Sequence, residues 1–187
     1  MKLLVLDRDG VINEDSPDYI KSPEEWQPIT GSLEAIAELS RAGWTIVVAS
    51  NQSAVGRGMI TFEMLNRIHA KMHRAVANAG GHISAVFFCP HAPQDECDCR
   101  KPKPGLLREI ARRYRMNTMQ LIMVGDSKRD LEAVAVVDGL PILVRTGKGR
   151  ETEAKGGLPA NTLIFNNLAA VAAFLLAREA DKGQTPQ

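Results

Sequence analysis

Lys2-Leu3-Leu4-Val5-Leu6-Asp7-Arg8-Asp9-Gly10 stands at the start of the chain, an apolar run that ends abruptly on two carboxylates and a glycine. With no polar alternation, residues 2–6 suit a strand buried on both faces, the condition of strands in a parallel sheet. Four further runs share that character, at residues 45–49, 85–88, 121–124 and 142–144, giving five strands. Between and after them, patterns at residues 32–41, 62–79, 105–114, 129–137 and 168–177 predict helices, and Gly43, Gly80-Gly81 and Gly139 close three of them. Strand and helix in alternation define a doubly wound α/β fold with right-handed crossovers. Residues 1–180 read as a single domain, 146–161 as a surface loop and 181–187 as a disordered tail.

Composition bounds the function. The chain of 187 residues carries 23 lysines and arginines against 22 acids, a net charge of +1. Such a balance gives no general field for nucleic acid or an anionic membrane. The apolar start is too short for a signal peptide, and no later stretch approaches the roughly 18 apolar residues of a membrane span. A cytoplasmic monomer acting on a small molecule is expected.

Open sheets bind ligands outside the carboxyl ends of their strands. Asp7 and Asp9 fall at that edge, and a turn at Gly10 lets both converge on one group. A solvated acidic turn is the competing reading of that pair. The second strand runs into Ser50-Asn51-Gln52-Ser53, the third leads to Arg100-Lys101-Pro102, and the fourth ends in Gly125-Asp126 with Asp130 beyond. Carboxylates, a hydroxyl and a lysine at one edge are what a site needs to hold Mg²⁺ and a phosphoryl group. Asp130, one turn after Asp126, reads equally as a helix-start acid or as a partner of Lys101 or of the metal's water.

Cys89-x-His91 and Cys97-x-Cys99 supply three thiols and one imidazole within one loop. That set suits a closed, structural zinc site, with reduced free thiols or a redox pair as alternatives. His69 and His73 lie four apart among Arg67, Lys71 and Arg74 and read as a solvated face rather than a metal pair. Trp26 and Trp44 read as packing residues. Gly56-Arg57-Gly58 reads as either a phosphate cradle or a simple turn.

Asp7-Arg8-Asp9-Gly10-Val11-Ile12, Ser50, Lys101 with Pro102 and Pro104, and Gly125-Asp126-x-x-x-Asp130 resemble the four ordered motifs of the haloacid dehalogenase superfamily. The resemblance implies that Asp7 is a nucleophile that becomes an aspartyl-phosphate and that Asp9 is the general acid and base. It implies Mg²⁺ on Asp7, the Asp9 carbonyl and Asp126, with Ser50 and Lys101 on the phosphoryl oxygens. No segment is long enough for an inserted cap domain, so loops at 13–30, 53–59 and 89–103 must select the substrate. Arg8, Asp15, Asp18, Asn51, Gln52, Ser53, Arg57 and Arg100 are the candidate substrate contacts.

Within the superfamily, Cys89-Pro90-His91-x-Pro93, Cys97-Asp98-Cys99-Arg100-Lys101-Pro102 and Arg145-Thr146-Gly147 are most similar to the capless, zinc-carrying heptose bisphosphate 7-phosphatases. This resemblance strengthens the zinc reading. It implies cleavage of a small bisphosphorylated sugar in the making of activated heptose for lipopolysaccharide. Histidinol-phosphate phosphatases share the zinc loop and are the alternative, and a receiver-like phosphoacceptor is the alternative outside enzymes. Ser127 departs from the pattern, which often has lysine there.

Overall fold

A computed structural model of the protein describes residues 1–183, with side chains to residue 180. Six parallel strands form one sheet: β1 (Leu3–Leu6), β2 (Thr45–Asn51), β3 (Ala85–Cys89), β4 (Ile122–Gly125), β5 (Leu140–Val144) and β6 (Leu163–Phe165), in the order β3-β2-β1-β4-β5-β6. The helices are α1 (Ser32–Arg41), α2 (Ser53–Gly56), α3 (Phe62–Asn78), α4 (Gly105–Tyr114), α5 (Lys128–Ala135), α6 (Gly149–Lys155) and α7 (Leu168–Gly183). Among the described residues no helix is long and apolar enough to cross a membrane.

The apolar run at the start of the chain explains the layering. Successive strand side chains point to opposite faces. Leu4 and Leu6 join Ile46, Val48, Val124 and Ile142 beneath Ile36, Leu65, Ile68 and Val171 of α1, α3 and α7. Leu3 and Val5 join Val47, Ala49 and Met123 beneath Leu107, Ile110 and Val134 of α4 and α5. Both faces of β1 are therefore dry. Each such fully buried aliphatic side chain contributes roughly 1.5–3 kcal/mol.

Three expectations are corrected. The sheet has six strands rather than five: β6 adds at the edge of β5, with Ile142 opposite Leu163 and Val144 opposite Phe165. Its three half-buried residues are too few to show a period. The expected surface loop at 146–161 contains α6, a polar helix that buries only Gly149 and Thr152. Helix α7 runs on to Gly183, through the first residues of the expected tail; residues 184–187 lie outside the described residues.

The strand order reverses at β1, whose neighbours are β2 and β4. A crevice opens at such a switch point. Asp7 follows β1 and Asp126 follows β4, so the two carboxylates flank it.

Candidate active site

Asp7 continues the β1 ladder, its N–H donating to the Val124 carbonyl at 2.9 Å. The buried Lys101 ammonium lies 3.1 Å from Asp7 Oδ1 and 2.7 Å from Asp130 Oδ1, and donates to the Ala49 carbonyl at 2.7 Å. Burial alone would lower the lysine's pKa, but Asp130 and Asp7 hold it above its ordinary value. Asp130 also receives the Ser127 N–H at 3.1 Å and its hydroxyl at 2.6 Å. Asp130 thus caps α5 and pairs with Lys101. The lysine and Ser127 hold its carboxyl below the carboxylate range despite complete burial.

Asp7, Asp126 and Asp130 each offer an oxygen within 4.8 Å of the others. Burial pushes Asp7 up to about 6 against the pull of Lys101. Burial, with Asp130 and Asp7 adding repulsion, pushes Asp126 up to about 8. A pair of acids so destabilised as anions fits a hard divalent cation with oxygen ligands. Since both oxygens of Asp130 are engaged, Asp7 and Asp126 are the side chains left to hold one. The Asp126 carboxylate fits against two glycines with positive φ, Gly10 (81°) and Gly147 (54°). A Cβ at either would overlap the Asp126 carboxylate.

Asp9 accepts four hydrogen bonds from three side chains. Arg8 donates Nε to Oδ1 at 2.9 Å and Nη2 to Oδ2 at 3.0 Å. Asn13 Nδ2 reaches Oδ1 at 2.9 Å, and Gln52 Nε2 reaches Oδ2 at 3.0 Å. Burial would raise Asp9, yet Arg8, Asn13 and Gln52 hold it below the ordinary range. Gln52 also donates to the buried Ser50 hydroxyl at 2.9 Å, which ties the end of β2 to the turn that carries Asp9. Asn51 exchanges two hydrogen bonds with the Lys101 backbone, each 3.0 Å.

A cleft of about 190 Å³ opens above these groups, lined by Asp7, Asp9, Asp15, Ser50, Asn51, Gln52, Ser53, Arg57, Arg100 and Asp126. Six of the eight expected substrate contacts thus line the cleft. Two do not. Arg8 is fully buried under Asp9, and Asp18 is exposed and lines a neighbouring hollow with Glu14 and Lys21. Two cations not singled out from the sequence also line the cleft, Arg129 and Lys148. Lys148 pairs with Asp15 at 2.8 Å, and its N–H donates to Asp126 Oδ2 at 2.8 Å. The run Arg145-Thr146-Gly147 was the only signal pointing there.

The cysteine loop closes beside the same cleft. Cys89 Sγ lies 3.6 Å from Cys97 Sγ and 3.6 Å from His91 Nδ1, which lies 3.3 Å from Cys99 Sγ. All four ligand atoms fall within 4.8 Å of one another. A tetrahedral zinc site with metal–sulfur bonds of about 2.3 Å has edges of about 3.8 Å, so the donors fit. Asn51 holds the far end of this loop to β2, and Arg100 Nη1 donates to the His91 carbonyl at 3.2 Å. The Gly56 N–H is spent on the Pro90 carbonyl at 2.9 Å, so the Gly56-Arg57-Gly58 segment is a turn against the loop.

His69 departs from its expected solvated face. It is buried with Leu65, Ile68 and Met72 of α3, 5.8 Å from the Phe88 ring centroid and 3.5 Å from Arg8 Nη1. His73 and His82 are exposed. Trp26 is fully buried, as a packing residue should be.

A switch-point crevice with an acid after β1, another after β4 and a lysine pinned between acids suits a protein that handles a phosphoryl group. Residues 98–171 match the family model described as HAD-hyrolase-like. The chain is 54% identical over 176 residues, 94% of its length and 98% of the relative's, to a D-glycero-beta-D-manno-heptose-1,7-bisphosphate 7-phosphatase of Bordetella bronchiseptica. It is 55% identical over 174 residues to the enzyme of that name in Pseudomonas aeruginosa, covering 93% of this chain and 97% of that one. The crystal structure of the B. bronchiseptica D,D-heptose 1,7-bisphosphate phosphatase with magnesium and phosphate superposes with a TM-score of 0.94 at 54% identity, over 95% of this chain and 99% of that one. The chain belongs to the haloacid dehalogenase-like hydrolases and, within them, to the family of D-glycero-beta-D-manno-heptose-1,7-bisphosphate 7-phosphatases.

Proposed function

We propose that this single-domain protein, residues 1–180, hydrolyses the 7-phosphate of D-glycero-β-D-manno-heptose 1,7-bisphosphate through an aspartyl-phosphate on Asp7, as a cytoplasmic monomer supplying activated heptose. The observation that carries the reading is Asp7 at the β1–β4 crevice, with Lys101 3.1 Å from its Oδ1.

In the first half-reaction an Asp7 oxygen bonds to phosphorus as the bond to the sugar O7 breaks, and Asp9 gives a proton to that leaving oxygen. The incoming phosphate, an anion beside Asp9, raises its proton affinity and offsets the hold of Arg8. In the second, water bonds to phosphorus, Asp9 takes its proton, and the bond to Asp7 breaks to release phosphate. Lys101 and Ser50 hold the equatorial oxygens. Asp7, the Asp9 carbonyl and Asp126 would hold Mg²⁺, which offsets repulsion between nucleophile and phosphate. Cys89, His91, Cys97 and Cys99 would hold structural Zn²⁺, keeping Arg100 and Lys101 at the cleft. Arg57, Arg100 and Arg129 present guanidinium groups suited to the distal phosphate.

Phosphate release from the heptose bisphosphate beside histidinol phosphate tests the assignment. A clear preference for the sugar is expected; equal or better turnover of histidinol phosphate overturns it.

A further inference from the structure

Arg8 is a fully buried cation one residue from the nucleophile, and its placement sets the placement of Asp9. Its fork spends Nε and Nη2 on the two Asp9 oxygens. That leaves Nη1, which faces His69 Nε2 at 3.5 Å inside the protein. Arginine has donors only and stays charged, so Nε2 must be the acceptor and the His69 ring must be neutral. The surroundings enforce this: burial first, then the Arg8 charge, hold His69 down to about 3. The ring cannot drift, since it packs on Phe88 and sits among the apolar residues of α3. Thr61 caps that helix, accepting the Met64 N–H at 3.1 Å.

We propose that His69 is a positioning residue for the reaction: through Arg8 Nη1 it fixes the guanidinium fork, and the fork fixes the Asp9 carboxylate that exchanges a proton with the leaving oxygen. His69 touches neither substrate nor nucleophile. The contact is long for a hydrogen bond, so its role is to bound the position of the guanidinium rather than to add much stability. The proposal rests on the reading of Asp9 as general acid, and its test separates the two.

The test compares two leaving groups through kcat/KM, which includes only steps up to release of the alcohol. A sugar oxygen must be protonated as it leaves, whereas p-nitrophenolate leaves without a proton. General acid catalysis contributes roughly 10²–10⁴-fold, so Asp9→Asn should cost the heptose bisphosphate about that much and p-nitrophenyl phosphate far less. His69→Phe keeps an aromatic ring on Phe88 and removes the acceptor. It should lower kcat/KM about 10-fold on the sugar and under about 3-fold on p-nitrophenyl phosphate, a part of the general-acid contribution. The loss should fall in kcat rather than KM and vanish in an Asp9→Asn background. His69→Gln, which restores an acceptor, should recover most of it. Should His69→Phe fail to fold, His69→Met, which fills the space without an equivalent acceptor, takes its place. Equal losses on both substrates, no loss, or an undiminished loss in the Asp9→Asn background would each overturn the role of His69. If Asp9→Asn itself shows no dependence on leaving group, the general-acid reading falls, and this proposal with it.

Discussion

The two ligand clusters beside the cleft differ in how the chain builds them. The oxygen cluster gathers Asp7 from just after β1, Asp126 from just after β4 and Asp130 from α5, and the sheet order brings Asp7 to the other two. The sulfur cluster takes Cys89 from the end of β3 and His91, Cys97 and Cys99 from the stretch of chain that follows it. In the first, burial and like charge make Asp7 and Asp126 poor anions, with the Asp126 carboxylate seated against Gly10 and Gly147. In the second, four donors already fill a tetrahedron and leave no open position. The difference teaches that the oxygen cluster depends on the pairing of strands distant in sequence, while the sulfur cluster comes from one stretch of chain that runs on into Arg100 and Lys101.

The widest separation between them should appear in turnover. Asp7→Asn removes the nucleophile and is expected to lower kcat by ~10⁴-fold or more, with the far-ultraviolet dichroism and zinc content unchanged. Cys97→Ser should act the other way round. Metal analysis should fall from about one zinc per chain, the thermal midpoint should drop, and kcat/KM should fall by roughly 10²-fold as Arg100 and Lys101 lose their support. Activity unaffected by loss of zinc would separate the two clusters altogether. Arg100→Met, which keeps the sulfur cluster intact, should raise KM for the bisphosphate about 10-fold, the cost of one charge-assisted hydrogen bond. A 7-monophosphate, lacking the distal group, should show no such change.

The smallest effect is on stability. In protein freed of Mg²⁺ but loaded with zinc, thiolates holding the metal would not titrate. Asp126, raised to about 8 by burial and by Asp130 and Asp7, keeps a proton that the unfolded chain has released. The folded state then binds more protons, and stability falls as pH rises toward 8. Asp7, raised to about 6, acts likewise between about pH 4 and 6, where His69, lowered to about 3, opposes it up to its ordinary 6.5. Between pH 6.5 and 8 the Asp126 contribution remains. Thermal melts should show the midpoint falling across that window without Mg²⁺ and holding level with it. A level midpoint in both conditions would contradict the electrostatic account of the oxygen cluster.

How much of this was legible in the sequence follows the same division. Residues that sit at strand ends or in one loop announce themselves: Asp7, Asp9, Ser50, Lys101, Asp126 and the sulfur ligands all lie where the strand pattern or spacing put them. Arg129 and Lys148 did not, because what makes them cleft residues is which side of α5 and of the turn after β5 faces the crevice. His69 was misjudged for a related reason, since its charged neighbours on the helix hid that it shares a side with Leu65 and Met72. Arg8 was expected among the substrate contacts, and only the packing shows it pointing inward to Asp9. The edge strand β6 and the polar helix α6 bury too little to leave a pattern.

The central claim is that Asp7 carries the phosphoryl group. Enzyme quenched during steady-state turnover of the heptose bisphosphate, reduced with borohydride and digested should yield homoserine at position 7, the reduction product of an aspartyl-phosphate. Unmodified Asp7 in an enzyme that is turning over, or homoserine at position 9 instead, would contradict it.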